Sequence, residues 1–291
     1  MLEGVLIRGY GGFYYIQAGD RVWECSLRGK FRHIGQSILA GDRVLIRPLS
    51  EKRAVVESVQ PRRSELIRPP IANVDQAIIV ISLIAPSPDR RLLDRLLVMA
   101  EYSGIEPVIC FNKADLVPEE ESRRLSGIYR RADYRTMITS AVSGTGIEEV
   151  REALKDRISV FAGPSGVGKS SLLNALQPGL SLKTGAVSQK IGRGRHTTRH
   201  VELLPLDFGG WVADTPGFSV IDLPRLKREE VADYFRELSP FYGRCQFNSC
   251  LHRGEPGCLV GLGLQNGEID RERYENYRLF LEETVTRERQ Y

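Results

Sequence analysis

The chain has 291 residues, 42% hydrophobic and 27% charged, with a formal net charge of +4. This composition is ordinary for a globular protein, and the length predicts two or three domains with buried cores. The longest apolar run, near residues 78–84, is too short to span a bilayer, and the start of the chain lacks the features of a signal peptide. We therefore expect a cytoplasmic protein whose five cysteines do not form disulfides.

Residues 1–62 contain five short runs of alternating apolar and polar residues, separated by glycines, which predict five strands. Five strands in about sixty residues favour a small all-β barrel, with the OB-fold as the best candidate. The 28–33 loop mixes cations with an aromatic residue, as RNA-binding surfaces do, although a solvated loop explains it equally well. The basic, proline-bounded stretch at 61–70 predicts a linker.

Residues 74–162 alternate between apolar runs and segments with helical spacing, which predicts a doubly wound parallel sheet. A hairpin is expected at 201–214, and helices are expected beyond residue 224. We therefore predict an α/β domain at 63–222 and a mostly helical C-terminal domain at 223–291.

The stretch Gly163-Pro-Ser-Gly-Val-Gly-Lys-Ser170 matches the phosphate-binding loop of P-loop NTPases. Glycines allow consecutive backbone N–H groups to surround a phosphate chain. Lys169 is then expected to reach the β- and γ-phosphates, and the Ser170 hydroxyl is expected to bind Mg²⁺. An apolar strand precedes this loop and a helix follows it, as the motif requires.

Guanine recognition is predicted by Asn112-Lys-Ala-Asp115, which follows an apolar strand. A carboxylate at Asp115 can accept two hydrogen bonds from guanine, whereas adenine offers neither donor. Ser140-Ala141 follows the next strand and resembles the loop that touches the base.

Two further motifs are expected at the γ-phosphate. Asp214-Thr-Pro-Gly217 resembles D-x-x-G, in which the aspartate holds Mg²⁺ through water and the glycine N–H binds the γ-phosphate. A threonine in the basic stretch before residue 200 should bind Mg²⁺; we favour Thr198, with Thr197 as the alternative.

The order of these motifs is unusual, because N-K-A-D and S-A precede the phosphate loop. The same sheet can form if an ordinary GTPase is circularly permuted. The D-x-x-G motif then leads directly into the C-terminal domain, so that a nucleotide-driven movement could pass to it.

Three cysteines and one histidine cluster near the C-terminus as Cys245-x4-Cys250-x-His252-x5-Cys258. This set suits a tetrahedral, structural Zn²⁺ site, with unrelated core thiols or a redox pair as alternatives.

Together these motifs resemble the ribosome small-subunit-dependent GTPase A family of bacteria over nearly the whole chain. The most specific pieces are N-K-A-D ahead of G-P-S-G-V-G-K-S, Gly192-Arg-Gly-Arg-His-Thr-Thr198, D-T-P-G-F and the cysteine cluster. The resemblance implies GTP hydrolysis stimulated by the 30S subunit, a role in late 30S maturation, and 16S rRNA contacts through the barrel and the zinc domain. It implies Mg²⁺ with GTP and one structural Zn²⁺. We expect a monomer that does not bind membranes.

The predicted nucleotide-binding residues are Asn112, Lys113, Ala114, Asp115, Ser140, Ala141, Gly163, Pro164, Ser165, Gly166, Val167, Gly168, Lys169, Ser170, Ser171 and Gly217.

The residue after D-x-x-G is Phe218, where many GTPases have a water-orienting glutamine. The family resemblance suggests His196 as the catalytic replacement, whereas a solvent-exposed or RNA-contacting role is the alternative. A P-loop nucleotide kinase and an RNA-binding module that uses GTP only as a ligand are the competing functions.

Overall fold

A computed structural model of the chain describes residues 1–28, 37–67, 69–180, 201–214 and 222–289. Its strands are β1 Leu2–Tyr10, β2 Phe13–Ala18, β3 Arg21–Leu27, β4 Arg43–Pro48, β5 Arg53–Val59, β6 Glu65–Ile67, β7 Pro70–Ala72, β8 Gln76–Ser82, β9 Glu106–Asn112, β10 Arg135–Ile138, β11 Ile158–Ala162, β12 Glu202–Pro205 and β13 Trp211–Asp214. Its α-helices are α1 Arg90–Tyr102, α2 Glu119–Arg131, α3 Ile147–Leu154, α4 Lys169–Leu176, α5 Leu259–Gln265 and α6 Arg271–Glu288. Short 3₁₀ helices lie at Ala114–Leu116, Arg228–Tyr234 and Arg236–Phe241.

The first five strands form a closed barrel in the order β1-β2-β3-β5-β4, which confirms the predicted small barrel. Its interior is filled by alternate residues of these strands, such as Ile16, Val44 and Ile46, because successive side chains of a strand point to opposite faces. The predicted 28–33 loop lies outside the described residues beyond residue 28.

The predicted linker at 61–70 is wrong in part, because it contains β6 and leads into β7, which pair antiparallel. Leu66 and Ile71 of this hairpin are buried in the same hydrophobic core as strands β8, β9 and β11. The basic residues and prolines around these short strands hide the apolar pattern in the sequence.

The central unit is a six-stranded sheet in the order β10-β9-β8-β11-β13-β12. Five strands run parallel and β12 pairs antiparallel with β13, which confirms the predicted parallel sheet and hairpin. Ile79 and Ile81 of β8 pack in the core with α1 and α2, whereas Ile78 and Val80 pack on the opposite face with α3 and α4. The carboxyl ends of all five parallel strands therefore meet at one edge, where α/β folds bind ligands.

The barrel is attached to the outer edge of this sheet. Arg8 of β1 donates to Glu202 of β12 at 2.8 Å, and its guanidinium lies 4.6 Å from the centre of the Tyr15 ring. Val5 and Tyr15 of the barrel, and Val201 next to β12, pack against the same hydrophobic core. The edge strand β12 is therefore covered by the barrel.

The C-terminal part is mostly helical, as the sequence predicts beyond residue 224, but residues 228–241 form two short 3₁₀ helices instead of an α-helix. Phe235, which lies between them, has an extended backbone and a buried side chain, so packing of this ring interrupts a continuous helix. Among the described residues, no helix is both long and apolar enough to cross a membrane.

A buried ionic network joins the C-terminal part to the sheet unit. Arg273 of α6 is 1% exposed and donates to Asp94 of α1 at 2.6 Å, and to both carboxylate oxygens of Glu237 at 2.5 and 2.7 Å. Asn276 and Tyr129 also donate to Asp94. Desolvation raises the pKa of this buried aspartate although Arg273 opposes that shift. Arg273 therefore supplies the positive charge that compensates the carboxylates of Asp94 and Glu237.

Arg273→Met should lower the free energy of unfolding by about 3–5 kcal/mol, because it leaves two buried carboxylates without their cation. Urea denaturation followed by circular dichroism measures this loss. Arg271→Met is the matched control on the same helix: its side chain is 85% exposed and pairs with Glu275 at the surface, so the expected loss is below about 1 kcal/mol. Equal losses in the two variants would contradict the role of the network.

Candidate nucleotide and metal sites

The phosphate loop connects the end of β11 to the start of α4 at the carboxyl edge of the sheet. Two of its glycines are required by close approaches. Gly163 has φ +125° and a Cβ there would lie 2.2 Å from the Val80 carbonyl oxygen; Gly168 has φ +100° and a Cβ would lie 2.4 Å from Asn112 Nδ2. The loop is thus pressed against two neighbouring strand ends, as its glycines predict.

The N-K-A-D loop is hydrogen-bonded to the phosphate loop. Asn112 Nδ2 donates to the Val167 carbonyl at 2.9 Å, and Lys113 Nζ donates to the Gly166 carbonyl at 2.7 Å. Asn112 is 1% exposed, and its Oδ1 accepts a hydrogen bond from the Thr139 hydroxyl at 3.2 Å. The structure therefore brings together two motifs that lie about fifty residues apart in the chain.

Asp115 is held by the neighbouring loop after β10. The Ser140 hydroxyl donates to Asp115 Oδ1 at 2.5 Å and accepts hydrogen bonds from the backbone N–H groups of Val142 and Ser143. Ser140 itself is fully buried, and Ala141 follows it in this loop. One carboxylate oxygen is thereby fixed, which sets the orientation of the carboxylate.

Lys169 is folded over its own loop. Its Nζ donates to the carbonyls of Gly163 at 2.7 Å and Pro164 at 2.8 Å, and burial lowers its pKa. Lys169, Ser170 and Ser171 form the first turn of α4, whose N–H groups have no partner within the helix. Ser165 and the rest of the loop precede this turn, so an anion at the helix start would meet both the N–H groups and the ammonium.

Asp214 ends β13, the strand beside β11, and is 7% exposed. It therefore lies at the same edge of the sheet as Ser170. The other predicted γ-phosphate residues lie outside the described residues: His196, Thr197, Thr198 and Gly217.

A loop that the sequence analysis did not consider also contacts this site. The carbonyl of Ala85, after β8, accepts a hydrogen bond from Lys113 Nζ, and Pro86 would lie 3.7 Å from a Cβ on Gly166. The Ser82 hydroxyl accepts from the N–H groups of Ile84 and Ala85 and so fixes the turn. Its position after a parallel strand indicates that this loop lies at the ligand-binding edge, although nothing in the sequence indicates which of its atoms make contact.

The predicted metal ligands are brought together in the C-terminal part. His252 Nδ1 lies 3.6 Å from Cys245 Sγ and 3.5 Å from both Cys250 Sγ and Cys258 Sγ, and all four ligand atoms lie within 4.8 Å of one another. Tetrahedral zinc, with Zn–S of about 2.3 Å and Zn–N of about 2.0 Å, places sulfur and nitrogen about 3.5 Å apart. The cluster therefore fits a tetrahedral metal ion.

The surroundings of this cluster hold the ligands in place. Burial lowers the pKa of His252, which favours the neutral imidazole that binds a metal, and burial raises the pKa of Cys250 to about 12, so a cation is needed to form its thiolate. Glu255 accepts backbone hydrogen bonds from Leu251 and Arg253. The hydroxyls of Tyr274 and Tyr277 on α6 donate to the carbonyls of His252 and Leu251, so the metal loop, residues 245–258, is fastened to that helix.

The sheet order and the order of motifs along the chain define a circularly permuted GTPase. Comparisons with known proteins agree. The family model for the RsgA GTPase matches residues 59–224, and that for the RsgA N-terminal domain matches residues 3–56. The chain belongs to the RsgA GTPase family and is a GTP hydrolase.

Individual relatives match over the full length. A protein of Moorella thermoacetica named small ribosomal subunit biogenesis GTPase RsgA is 55% identical over 100% of both chains. One of the same name from Caldanaerobacter subterraneus is 49% identical over 99% of this chain and 97% of its own. The crystal structure of YjeQ from Thermotoga maritima has a TM-score of 0.86 at 39% identity, covering 98% of each chain. YloQ, described as a circularly permuted GTPase, has a TM-score of 0.83 at 36% identity, covering 99% of this chain and 96% of its own.

Asn112→Ala should raise the Kd for GDP about tenfold, because the buried Val167 carbonyl loses its donor and the phosphate loop loses one attachment. Isothermal titration calorimetry measures the change. Thr139→Val is the matched control: it removes a hydroxyl bonded to the other end of the same amide, so the Kd should change less than about threefold. Unchanged affinity in Asn112→Ala would show that this attachment is unimportant for the pocket.

Proposed function

We propose that this GTP hydrolase acts in biogenesis of the small ribosomal subunit, in the bacterial cytoplasm, and that the 30S subunit stimulates its turnover. The names of the full-length relatives support the role in biogenesis. The observation that carries the nucleotide assignment is the pair of hydrogen bonds from Asn112 and Lys113 to the phosphate loop. We place the units at 1–62, 63–222 and 223–291, and we propose that the protein acts as a monomer.

In the proposed pocket, Asp115 accepts hydrogen bonds from the guanine edge while Ser140 fixes the orientation of its carboxylate. The N–H groups of residues 163–171 and the Lys169 ammonium hold the phosphates. To do so, Lys169 exchanges its carbonyl partners for phosphate oxygens. Ser170, Thr198 and Asp214 would hold Mg²⁺, and the Gly217 N–H would meet the γ-phosphate. Mg²⁺ supplies charge neutralisation during phosphoryl transfer.

We propose that rRNA is contacted by the barrel and the C-terminal part. Tyr10 and Phe13 pair across the β1–β2 turn and are 70% and 48% exposed. Aromatic side chains at an exposed hairpin end are suited to stacking on unpaired bases, which OB-folds do.

The metal is proposed to be one structural Zn²⁺, because protein side chains supply four ligands and leave no position open.

Purified protein should contain about one zinc per chain by mass spectrometry. Cys258→Ser should lose the zinc and the binding to the small subunit, while its affinity for GDP is retained. Cys25→Ser is the control: Cys25 lies in the barrel core, outside the cluster, and its loss should leave the zinc content unchanged. Zinc-free wild-type protein would refute the assignment.

We propose that His196 orients or deprotonates the attacking water, since Phe218 replaces the usual glutamine. A neutral imidazole can accept a proton from water. Turnover of the free protein is then slow, and docking on the 30S subunit positions the histidine for catalysis.

Phosphate release with and without 30S subunits tests both proposals. The wild-type rate should rise strongly with subunits, and His196→Ala should lose about a hundredfold or more of the stimulated rate at unchanged GTP affinity. His200→Ala, in the same stretch, is the control and should keep the stimulation. Absence of stimulation in the wild type would refute the 30S-dependent function, and full stimulation in His196→Ala would refute the catalytic role alone.

A further inference from the structure

The turn after β8, residues 82–86, joins the phosphate loop to the N-K-A-D loop. The Lys113 ammonium donates to the carbonyl of Ala85 in this turn and to the carbonyl of Gly166 in the phosphate loop, the second at 2.7 Å. Pro86 lies beside Gly166, since a Cβ on that glycine would be 3.7 Å from Pro86 Cδ. Three loops therefore meet at one ammonium group, and the position of the Ala85 carbonyl helps to decide where that group lies.

Ser82 fixes the Ala85 carbonyl from the interior of the protein. Its side chain is fully buried, and its hydroxyl accepts hydrogen bonds from the N–H groups of Ile84 at 3.2 Å and Ala85 at 3.0 Å. The same hydroxyl donates to the Ala85 carbonyl at 3.0 Å. A carbonyl oxygen has two lone pairs, and here one partner is Ser82 and the other is Lys113. A buried hydroxyl thus orients the oxygen that holds the ammonium.

The backbone of Lys113 depends on this support. Its φ is +65°, in the left-handed region that residues other than glycine rarely adopt. The 3₁₀ helix Ala114–Leu116 follows directly and contains Asp115. If the Lys113 side chain loses a well-oriented carbonyl, the backbone that presents Asp115 is held less firmly. An effect of Ser82 should therefore reach the base-binding end of the pocket as well as the phosphate loop.

We propose that Ser82 is a positioning residue for guanine-nucleotide binding, which acts through the Ala85 carbonyl on Lys113 and so slows nucleotide dissociation. The Ser82 hydroxyl donates once and accepts twice within the turn, which uses its full hydrogen-bonding capacity, so it acts from behind the pocket and does not bind the nucleotide itself. The inference rests on the proposed nucleotide pocket and adds a residue that lies outside the GTPase motifs.

The experiment measures the release of fluorescently labelled GDP from full-length, zinc-loaded protein, by stopped flow against excess unlabelled GDP. Ser82→Ala should raise the dissociation rate about fivefold, because one oriented hydrogen bond to a charged group is weakened. Ser82→Cys has a similar volume but hydrogen-bonds only weakly, so it should raise the rate as well and serves if the alanine variant does not fold. Ser126→Ala is the matched control. Ser126 is 1% exposed and its hydroxyl pairs with that of Thr136 at 2.8 Å, between α2 and β10, so the rate should stay within about twofold of wild type.

A double-mutant cycle with Lys113→Met separates positioning from a general loss of structure. Lys113→Met should raise the rate about tenfold or more, since both of its carbonyl contacts are lost. Ser82→Ala should add less than about twofold in that background, because its effect passes through the missing ammonium.

Three results would overturn the inference and leave the proposed pocket standing: an unchanged rate in Ser82→Ala and Ser82→Cys, a similar rise in Ser126→Ala, or an equal effect of Ser82→Ala with and without Lys113. An unchanged rate in Lys113→Met would overturn both the inference and the proposed pocket. Circular dichroism of each variant confirms that the protein is folded.

Discussion

Two hydrogen bonds between neighbouring loops hold together the proposed nucleotide pocket: Asn112 donates to the Val167 carbonyl and Lys113 donates to the Gly166 carbonyl. The first is buried, so losing it would leave a carbonyl unsatisfied away from water. Gly168 is required at the same place, because a side chain would collide with the Asn112 amide. The phosphate-binding and base-binding motifs therefore fit together only as a pair, whatever their order in the chain.

This constraint explains why the permuted order is tolerated. The sheet requires that β9, β8 and β11 lie side by side and parallel, so that their carboxyl ends bring the loops together. It does not require that the strands follow one another in a given order. Here β8 and β9 come first, and α3 leads from β10 into β11. In the permuted order, β13 is the last strand of the GTPase unit, and the C-terminal part follows it in the chain.

Much of the fold and of the candidate sites could be predicted from the sequence, because the motifs that indicate them are short and local. The phosphate loop, N-K-A-D and the cysteine cluster each have fixed spacings set by their chemistry, and Gly163 and Cys258 lie where those spacings place them. The contacts made by Ala85 were not predictable, because a backbone carbonyl has no sequence signature. Nor was the burial of Arg273, since its charged helix has a weak apolar pattern and its partners Asp94 and Glu237 are distant in the chain.

The buried network limits how the nucleotide state can reach the C-terminal part. Helix α1 begins just after the Ala85 turn that contacts Lys113, and its Asp94 is bound to Arg273 of α6. Moving α6 away from the sheet would separate this buried pair and the packed side chains around it. A ligand shifts an equilibrium only by its differential affinity for the two states, so this movement requires an affinity difference larger than the free energy of the contact between α1 and α6. We therefore expect α6 to stay on α1 in both nucleotide states.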